Sequence, residues 1–395
     1  MRGQRPSEAT TLEMARTRAP GGGDSVKITP FAVEQWMSAH ENRAAYNLAE
    51  TCAESFSLRE FLELCGKGPD FVDHLLDAKF TYGEVLGSEA LRREMARSYP
   101  SEDPEEILIT HGAIEANYLV FHALISPGDK VVVTFPAYQQ LYQVPESLGA
   151  RVERWVLAFE TGFSPNFDRL AELVDDNTRL LVINNPHNPT GTVFTRADLE
   201  RISSIVSRVG AKILCDEVYH GFFWTGEVPT MAAVNDGAVI TGSLSKNAAL
   251  AGLRIGWIRA PREILHDCRL HQDYITIGPP ILSDRLALVA VQNREALFSR
   301  NLQLVGENRL ALTEWVNQEP HIRWVSPQGG TTALLKYDFD ISSRHLCNHL
   351  ISEKSVLLVP GDCFEMEGFV RIGYGCASST LERGLALISD YFRRL

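Results

Sequence analysis

Residues 243–257 read SLSKNAALAGLRIGW. One lysine, Lys246, follows Ser243 by three positions and Ser245 by one, and Arg254 comes eight positions later inside a Gly-Leu-Arg-Ile-Gly run. A lysine amine can condense with a carbonyl, while hydroxyls and a guanidinium suit a phosphate. Together they describe a seat for a small phosphorylated carbonyl compound. A lysine taken alone is most often a solvated surface residue, so the reading depends on whether the rest of the chain supplies the other partners.

The chain has 395 residues, 45% of them hydrophobic and 22% charged. This is the balance of an ordinary soluble globular protein with room for a large core and two domains. The formal net charge of -12 argues against a nucleic-acid or anionic-membrane partner, though not against a cationic substrate. No apolar run reaches the ~18 residues of a transmembrane helix. Residues 1–27, through Gly21-Gly22-Gly23, are polar and basic and lack the apolar centre of a signal peptide, so they read as a disordered leader. The 7 cysteines (Cys52, Cys65, Cys215, Cys268, Cys347, Cys363, Cys376) are odd in number and scattered, with no CxxC. That pattern suits reduced thiols in a cytoplasmic protein, as buried filler rather than a disulfide framework.

From about residue 84 to 260, helix and strand signals alternate. The spacing predicts helices over 88–99, 113–125 and 196–209. It predicts apolar strands over 106–110, 130–135, 179–184, 211–217, 237–243 and 254–260. Near-continuous apolar strands separated by helices indicate an α/β fold with a largely parallel sheet covered on both faces. After about residue 286 a long helical stretch precedes a smaller α/β segment containing HIRWVS, TTALLKYDF, VLLVP, FVRIGYG and a final helix. A helix over 31–44 is expected to join that segment. The expected organisation is a leader (1–27), an N-terminal arm forming part of a small domain (28–70), a large domain (71–285) and a small C-terminal domain (286–395).

In doubly wound sheets, ligands sit beyond the carboxyl ends of the strands, and each further candidate falls there. THGAIEA opens a helix after the 106–110 strand, so Gly112, Ala113 and Ile114 offer free N–H groups as a phosphate cradle. FPAYQQLY follows the next strand and places Tyr138 to lie flat on an aromatic ring. In NNPHNPTG (184–191), Asn188 can donate to a phenolic oxygen while Pro189 and Gly191 fix the turn. In DEVYHGFFW, Asp216 ends an apolar strand, where an unpaired carboxylate is costly and a protonated ring nitrogen would be its partner. Tyr219, three residues on, can reach the same phenolic oxygen as Asn188. Each has a bland explanation by itself: a helix start, a packed tyrosine, a turn-capping aspartate. Five such motifs in one order, each at a strand end, point to pyridoxal 5'-phosphate. Lys246 is then its Schiff-base lysine, with Ser243, Ser245 and Arg254 on its phosphate.

Over residues 80–376 the chain resembles fold-type I pyridoxal-phosphate enzymes of the aspartate aminotransferase superfamily. The resemblance implies a large domain with a mostly parallel seven-stranded sheet, a smaller α/β domain, and catalytic roles for Lys246, Asp216 and Tyr219. It implies that Arg371 in FVRIGYG clamps the α-carboxylate of an amino-acid substrate, with Asn188 beside it. It also implies that Tyr82 in YGEVLGSEALR reaches the phosphate of a neighbouring subunit, which makes the enzyme a homodimer.

Members of that superfamily usually carry glycine and proline in the N-terminal segment that covers the substrate. Here the segment reads NLAETCAES (47–55) and holds two acids, Glu50 and Glu54. Acids there suit a cationic side chain, Glu50 first, since a guanidinium pairs well with a carboxylate fork. The alternative is that both face solvent. This segment, PQGGTT (327–332) and the Gly-Tyr-Gly after Arg371 resemble capreomycidine synthases. That implies loss of the β-hydroxyl of a hydroxylated L-arginine and ring closure by its own guanidine, in antibiotic biosynthesis. Such an internal attack gains up to ~7–11 kcal/mol from proximity when well oriented. An aminotransferase of an L-amino acid is the second reading, and a non-catalytic effector-binding module the third. His111 and His187 flank cofactor motifs and are candidates to line the substrate cavity or to protonate the leaving hydroxyl. His345 and His349 stand i, i+4 on an expected helix; with no third ligand nearby, a solvated face is favoured and no metal is expected.

Overall fold

The run KVVVTF is buried along its whole length, and so are ILIT at 107–110 and VITGS at 239–243. Strands without a solvent face need helices on both sides of their sheet. The computed structural model, which describes residues 28–395, has that arrangement; the leader expected over 1–27 lies outside the described residues. One sheet of 7 strands runs in the order Ile107–Thr110, Gly256–Arg259, Val239–Ser243, Lys212–Asp216, Thr178–Asn184, Lys130–Phe135, Arg151–Val156. All are parallel except Gly256–Arg259, which is antiparallel to both its neighbours. Val132, Leu181 and Ile213 pack into one core, while Val131, Leu180 and Leu214 pack into another. Adjacent residues of one strand point to opposite faces, so two cores follow from the strand's two-residue period.

The strand Arg151–Val156 carries no apolar signal in the sequence. It holds Arg151, Glu153 and Arg154, and only Trp155 is buried. It is an edge strand, and an edge tolerates charge that an inner strand cannot. Arg154 covers the Phe135 ring at 4.2 Å and pairs with Glu365 at 2.6 Å.

The C-terminal segment forms a second, antiparallel sheet in the order Val359–Pro360, Phe369–Gly373, Thr332–Tyr337, Ile322–Trp324. The helical stretch before it is two helices, Ile281–Gln292 and Arg294–Gln318. The N-terminal helix, Ala32–His40, is shorter than expected and continues as a 3-10 turn, Glu41–Arg43. It buries Val33, Trp36 and Met37 in the core of the C-terminal sheet, and Trp36 Nε1 donates to the Leu358 carbonyl at 2.8 Å. Tyr46–Asn47 then pairs in parallel with Val356–Leu357. The covering segment joins the two halves of the molecule. The Ala53 N–H donates to the Lys246 carbonyl at 3.4 Å, and the Glu54 N–H donates to the Gly375 carbonyl at 2.8 Å. No described helix is long and apolar enough to cross a membrane.

The reversed strand Gly256–Arg259 matters for the site. The residues before it emerge at the same edge as the carboxyl ends of the parallel strands. Gly256 pairs with Thr110 on one side and Ser243 on the other, which sets Arg254 beside both loops. A Cβ at Gly256 would lie 2.3 Å from the Gly112 carbonyl carbon, so glycine is what lets the following helix start approach. Gly256→Ala is expected to destabilise the protein by about 1–3 kcal/mol through overpacking. The check is the denaturant midpoint at unchanged slope, and an unmoved midpoint would show that the helix start is free to shift.

Candidate active site

The loops at this edge enclose a cavity of about 330 Å³. Ala113, Ile114, Tyr138, Asn188, Asp216, Tyr219, Ser243, Ser245, Lys246, Arg254 and Arg371 all line it. Residues that the sequence placed at separate strand ends therefore meet in one place.

At one end Gly112, at φ 78°, starts the helix Ala113–Leu124 with no side chain capping its first N–H groups. Arg254 lays its guanidinium across that glycine, and its hydrogen bonds go to the backbone carbonyls of His111 and Ala251, each at 3.2 Å. A Cβ at Gly112 would sit 2.5 Å from Arg254 Nη2. Ser243 and Ser245 are buried nearby, and the Ser245 N–H donates to Ser243 Oγ at 3.3 Å. Free helix N–H groups, two hydroxyls and a guanidinium bonded only to carbonyls make an anion seat.

Further in, Asp216 is 5% exposed. Its Oδ2 accepts from Asn117 Nδ2 at 2.9 Å and its Oδ1 from the Val218 N–H at 3.1 Å. Asn117 is itself oriented by the Thr241 hydroxyl, which donates to its Oδ1 at 2.7 Å. Burial raises the Asp216 pKa from 3.8 to about 6, against the pull of those two hydrogen bonds. The carboxylate has neutral partners where a cation would relieve it. Tyr219 is buried and Tyr138 half-buried against the same cavity.

Lys246 Nζ donates to Thr51 Oγ1 at 2.6 Å and lies 3.4 Å from Cys52 Sγ. Burial disfavours its charge, but Cys52, Tyr219 and Glu50 outweigh burial and hold its pKa above that of a free lysine. Burial pushes the Cys52 thiol up to about 11. Arg371, 3% exposed, donates to the Ala49 carbonyl at 2.8 Å and to Asn188 Oδ1 at 3.4 Å, while its Nε has no partner. Burial pulls its pKa down. A buried guanidinium with an orphaned donor and only neutral partners is set to receive a carboxylate from a ligand.

These donors fit pyridoxal phosphate. The anion seat suits its phosphate, Asp216 its protonated ring nitrogen, and Lys246 its aldehyde.

Some expected residues stand differently. Glu50 lines the cavity, but its Oε1 turns back to accept from the N–H groups of Thr51 at 2.7 Å and Cys52 at 3.0 Å. Burial opposes its charge, yet Lys246 and those donors hold its carboxyl below the usual range. The expectation for Glu54 is corrected. It is exposed and outside the cavity, and its Oε2 accepts from the Ala377 N–H at 3.1 Å where the last helix, Ser378–Phe392, begins. An acid is favoured at a helix N-terminus. Tyr82, 82% exposed, is also outside this chain's cavity. His111 turns its ring to the Gly278 carbonyl at 3.0 Å. His187 is buried against Thr190, and burial pulls its pKa down to about 3. Neither histidine lines the cavity. No group of three metal-ligating side chains occurs among the described residues.

Several lining residues escape the sequence reading. Asn117 leaves a signal, a polar residue four places after Ala113 on the buried face of an apolar helix. Thr51 and Cys52 sit between the two acids that draw the eye. Glu34 and Glu41 also line the cavity, and nothing in residues 31–44 marks them.

Residues 75–388 match the sequence profile of the family aminotransferase class I and II, so the chain belongs to that family. A capreomycidine synthase from Streptomyces vinaceus is 32% identical over 377 residues, covering 94% of this chain and 96% of that protein. Among solved structures, a PLP-dependent aminotransferase from Streptococcus suis 89-1591 superposes with a TM-score of 0.91 at 39% identity, covering 93% of this chain and 98% of that one. The PLP-dependent cyclase OrfR superposes with a TM-score of 0.87 at 27% identity, covering 95% and 99%. The protein is a pyridoxal-phosphate enzyme with the type I fold.

Asp216 has a folded pKa above its unfolded one. Its ionisation therefore destabilises the cofactor-free protein above about pH 6, and the penalty fades as the pH falls from about 6 toward about 4. Asp216→Asn removes that ionisation but gives up one acceptor, so its stability relative to the wild type is expected to be higher at about pH 8 than at about pH 4. Thermal melts at the two pH values provide the check, and an equal difference at both contradicts the assignment.

Proposed function

We propose that this enzyme is a cyclase acting on a hydroxylated L-arginine. It removes the β-hydroxyl as water and closes a ring by joining a guanidine nitrogen to the β-carbon, a redox-neutral route to a capreomycidine-type product used in antibiotic biosynthesis. The likeness to capreomycidine synthase along nearly the whole of both chains carries the reading, and the superposition on a PLP-dependent cyclase supports it.

Bound pyridoxal phosphate supplies an electron sink for the substrate's α-carbon. Lys246 would hold the cofactor through its amine and would carry the α-proton, with Thr51 fixing the position of its Nζ. Asp216 keeps the ring nitrogen protonated, and Asn117 and the Val218 N–H keep Asp216 aimed at it. Tyr219 and Asn188 would hold the phenolic oxygen, and Tyr138 would cover the ring. The helix start at 112–114, Ser243, Ser245 and Arg254 hold the phosphate. Arg371, with Asn188, fixes the α-carboxylate. Glu50 orders the turn that delivers Thr51 and Cys52, so its role is positioning.

Phe80 and Tyr82, 87% and 82% exposed, belong to a homodimer surface from which Tyr82 reaches the neighbouring phosphate. An N-terminal arm over 28–70 contributes part of a small domain that 286–395 completes, beside a large domain of 71–285. The cysteines are all free and buried, which suits a reducing cytoplasm. An aminotransferase of an L-amino acid is the second reading, favoured by the 39% identity to an aminotransferase of known structure. Lys246 with all its partners in place speaks against a non-catalytic binding module.

Incubation with 3-hydroxy-L-arginine is expected to yield a product that has lost one water and kept its amine. A keto acid, with the cofactor left in its amine form, would establish the aminotransferase instead, and no product at all would revive the binding module. Lys246→Ala is expected to lower turnover by about 10³-fold or more and to remove the visible band that borohydride bleaches. Arg371→Lys, which loses the planar fork, is expected to raise KM about 10–100-fold with a smaller change in kcat.

A further inference from the structure

Four residues of the N-terminal helix and its 3-10 extension line the cavity: Val33, Glu34, Met37 and Glu41. Counted from Val33, the other three stand one, four and eight places on, which puts them on one side of a helix. Val33 and Met37 are buried, whereas Glu34 and Glu41 are exposed at the cavity mouth. This side therefore offers two apolar side chains next to two carboxylates. A methylene chain ending in a cation has the complementary pattern, because its stem packs on apolar surface while its head stays polar.

Glu34 is also held in place. The Tyr138 hydroxyl donates to its Oε1 at 2.8 Å, which leaves Oε2 available. The helix start is tethered to the same loop: the Ala32 N–H donates to Gln139 Oε1 at 2.8 Å, and Gln139 Nε2 donates to the Pro30 carbonyl at 3.0 Å. The Phe31 and Tyr138 rings meet at 4.8 Å. The tyrosine placed over the cofactor ring is thus the residue that orients the acid.

The second observation lies inside the cavity. Arg371 is buried with an unpartnered Nε, which calls for a carboxylate there. A ligand whose carboxylate sits on Arg371 and whose amine sits at Lys246 directs its side chain toward the mouth. Glu50 sits at the other end, where its own turn holds its Oε1 and its charge faces Lys246.

We infer that Glu34, oriented by Tyr138, is the carboxylate that recognises the guanidinium of the substrate and sets its specificity, with Val33 and Met37 receiving the methylene stem. This rests on the arginine-derived substrate proposed above. The test uses the cofactor-loaded enzyme with L-arginine and with L-citrulline, its uncharged counterpart. Neither carries the β-hydroxyl, so each dissociation constant is read from the initial shift of the visible band rather than from turnover. The wild type is expected to favour arginine about tenfold, as a charge-assisted hydrogen bond allows. Glu34→Gln is expected to bring that ratio close to one while leaving citrulline binding and the cofactor spectrum unchanged. Tyr138→Phe, which keeps the acid but frees it, is expected to give an intermediate ratio. If Glu34→Gln keeps the preference while Glu50→Gln or Glu41→Gln loses it, the inference is overturned and the cationic substrate stands. If the wild type binds both ligands equally, the cationic substrate itself is wrong.

Discussion

A carboxylate buried at a strand end, with neutral hydrogen-bond donors as its partners, is the constraint on which the site is built. Asp216 lies in register between Asn184 and Thr241 on the neighbouring strands, so the sheet fixes its position. Its first donor, Asn117, comes from the helix whose N-terminus starts at Gly112. One rigid element therefore sets both the anion seat and the partner of the buried acid. At 1.5 Å of rise per residue the helix start and Asn117 lie roughly 7 Å apart along the helix axis, so the seat and the partner of the buried acid are held at a fixed separation.

The reversed strand completes this arrangement. In an all-parallel sheet, the chain leaving Ser243 would have to cross over before returning. Here it turns back within a short loop, and that loop holds Lys246 and Arg254. Lys246 and Arg254 are thereby fixed relative to each other by local geometry. The close approach of Gly256 to Gly112 then locks both to the helix start.

The cofactor half of the site was legible because it depends on strand ends, and apolar strands reveal themselves in sequence. Arg151–Val156 did not, since an edge strand need not be apolar. The substrate half was less legible because it depends on docking. Glu34 and Glu41 reach the cavity only because Trp36, Met37 and Gln139 anchor their helix to two other parts of the fold. Glu50 and Glu54 looked equivalent in the linear chain. In an irregular segment a separation of four residues implies no common face, and the two acids point to different partners.

The charges lining the cavity give the remaining argument. Lys246, Arg254 and Arg371 face Glu34, Glu41, Glu50 and Asp216. Bound pyridoxal phosphate and an amino acid would occupy Arg254 with the phosphate, Asp216 with the ring nitrogen and Arg371 with the carboxylate. Three carboxylates, Glu34, Glu41 and Glu50, then face Lys246 alone among the lining cations. Water can screen the two at the mouth, but a substrate that fills the cavity displaces that water, and like charges brought into a drier space repel more strongly. A neutral side chain would enter against that field, whereas a guanidinium would neutralise part of it.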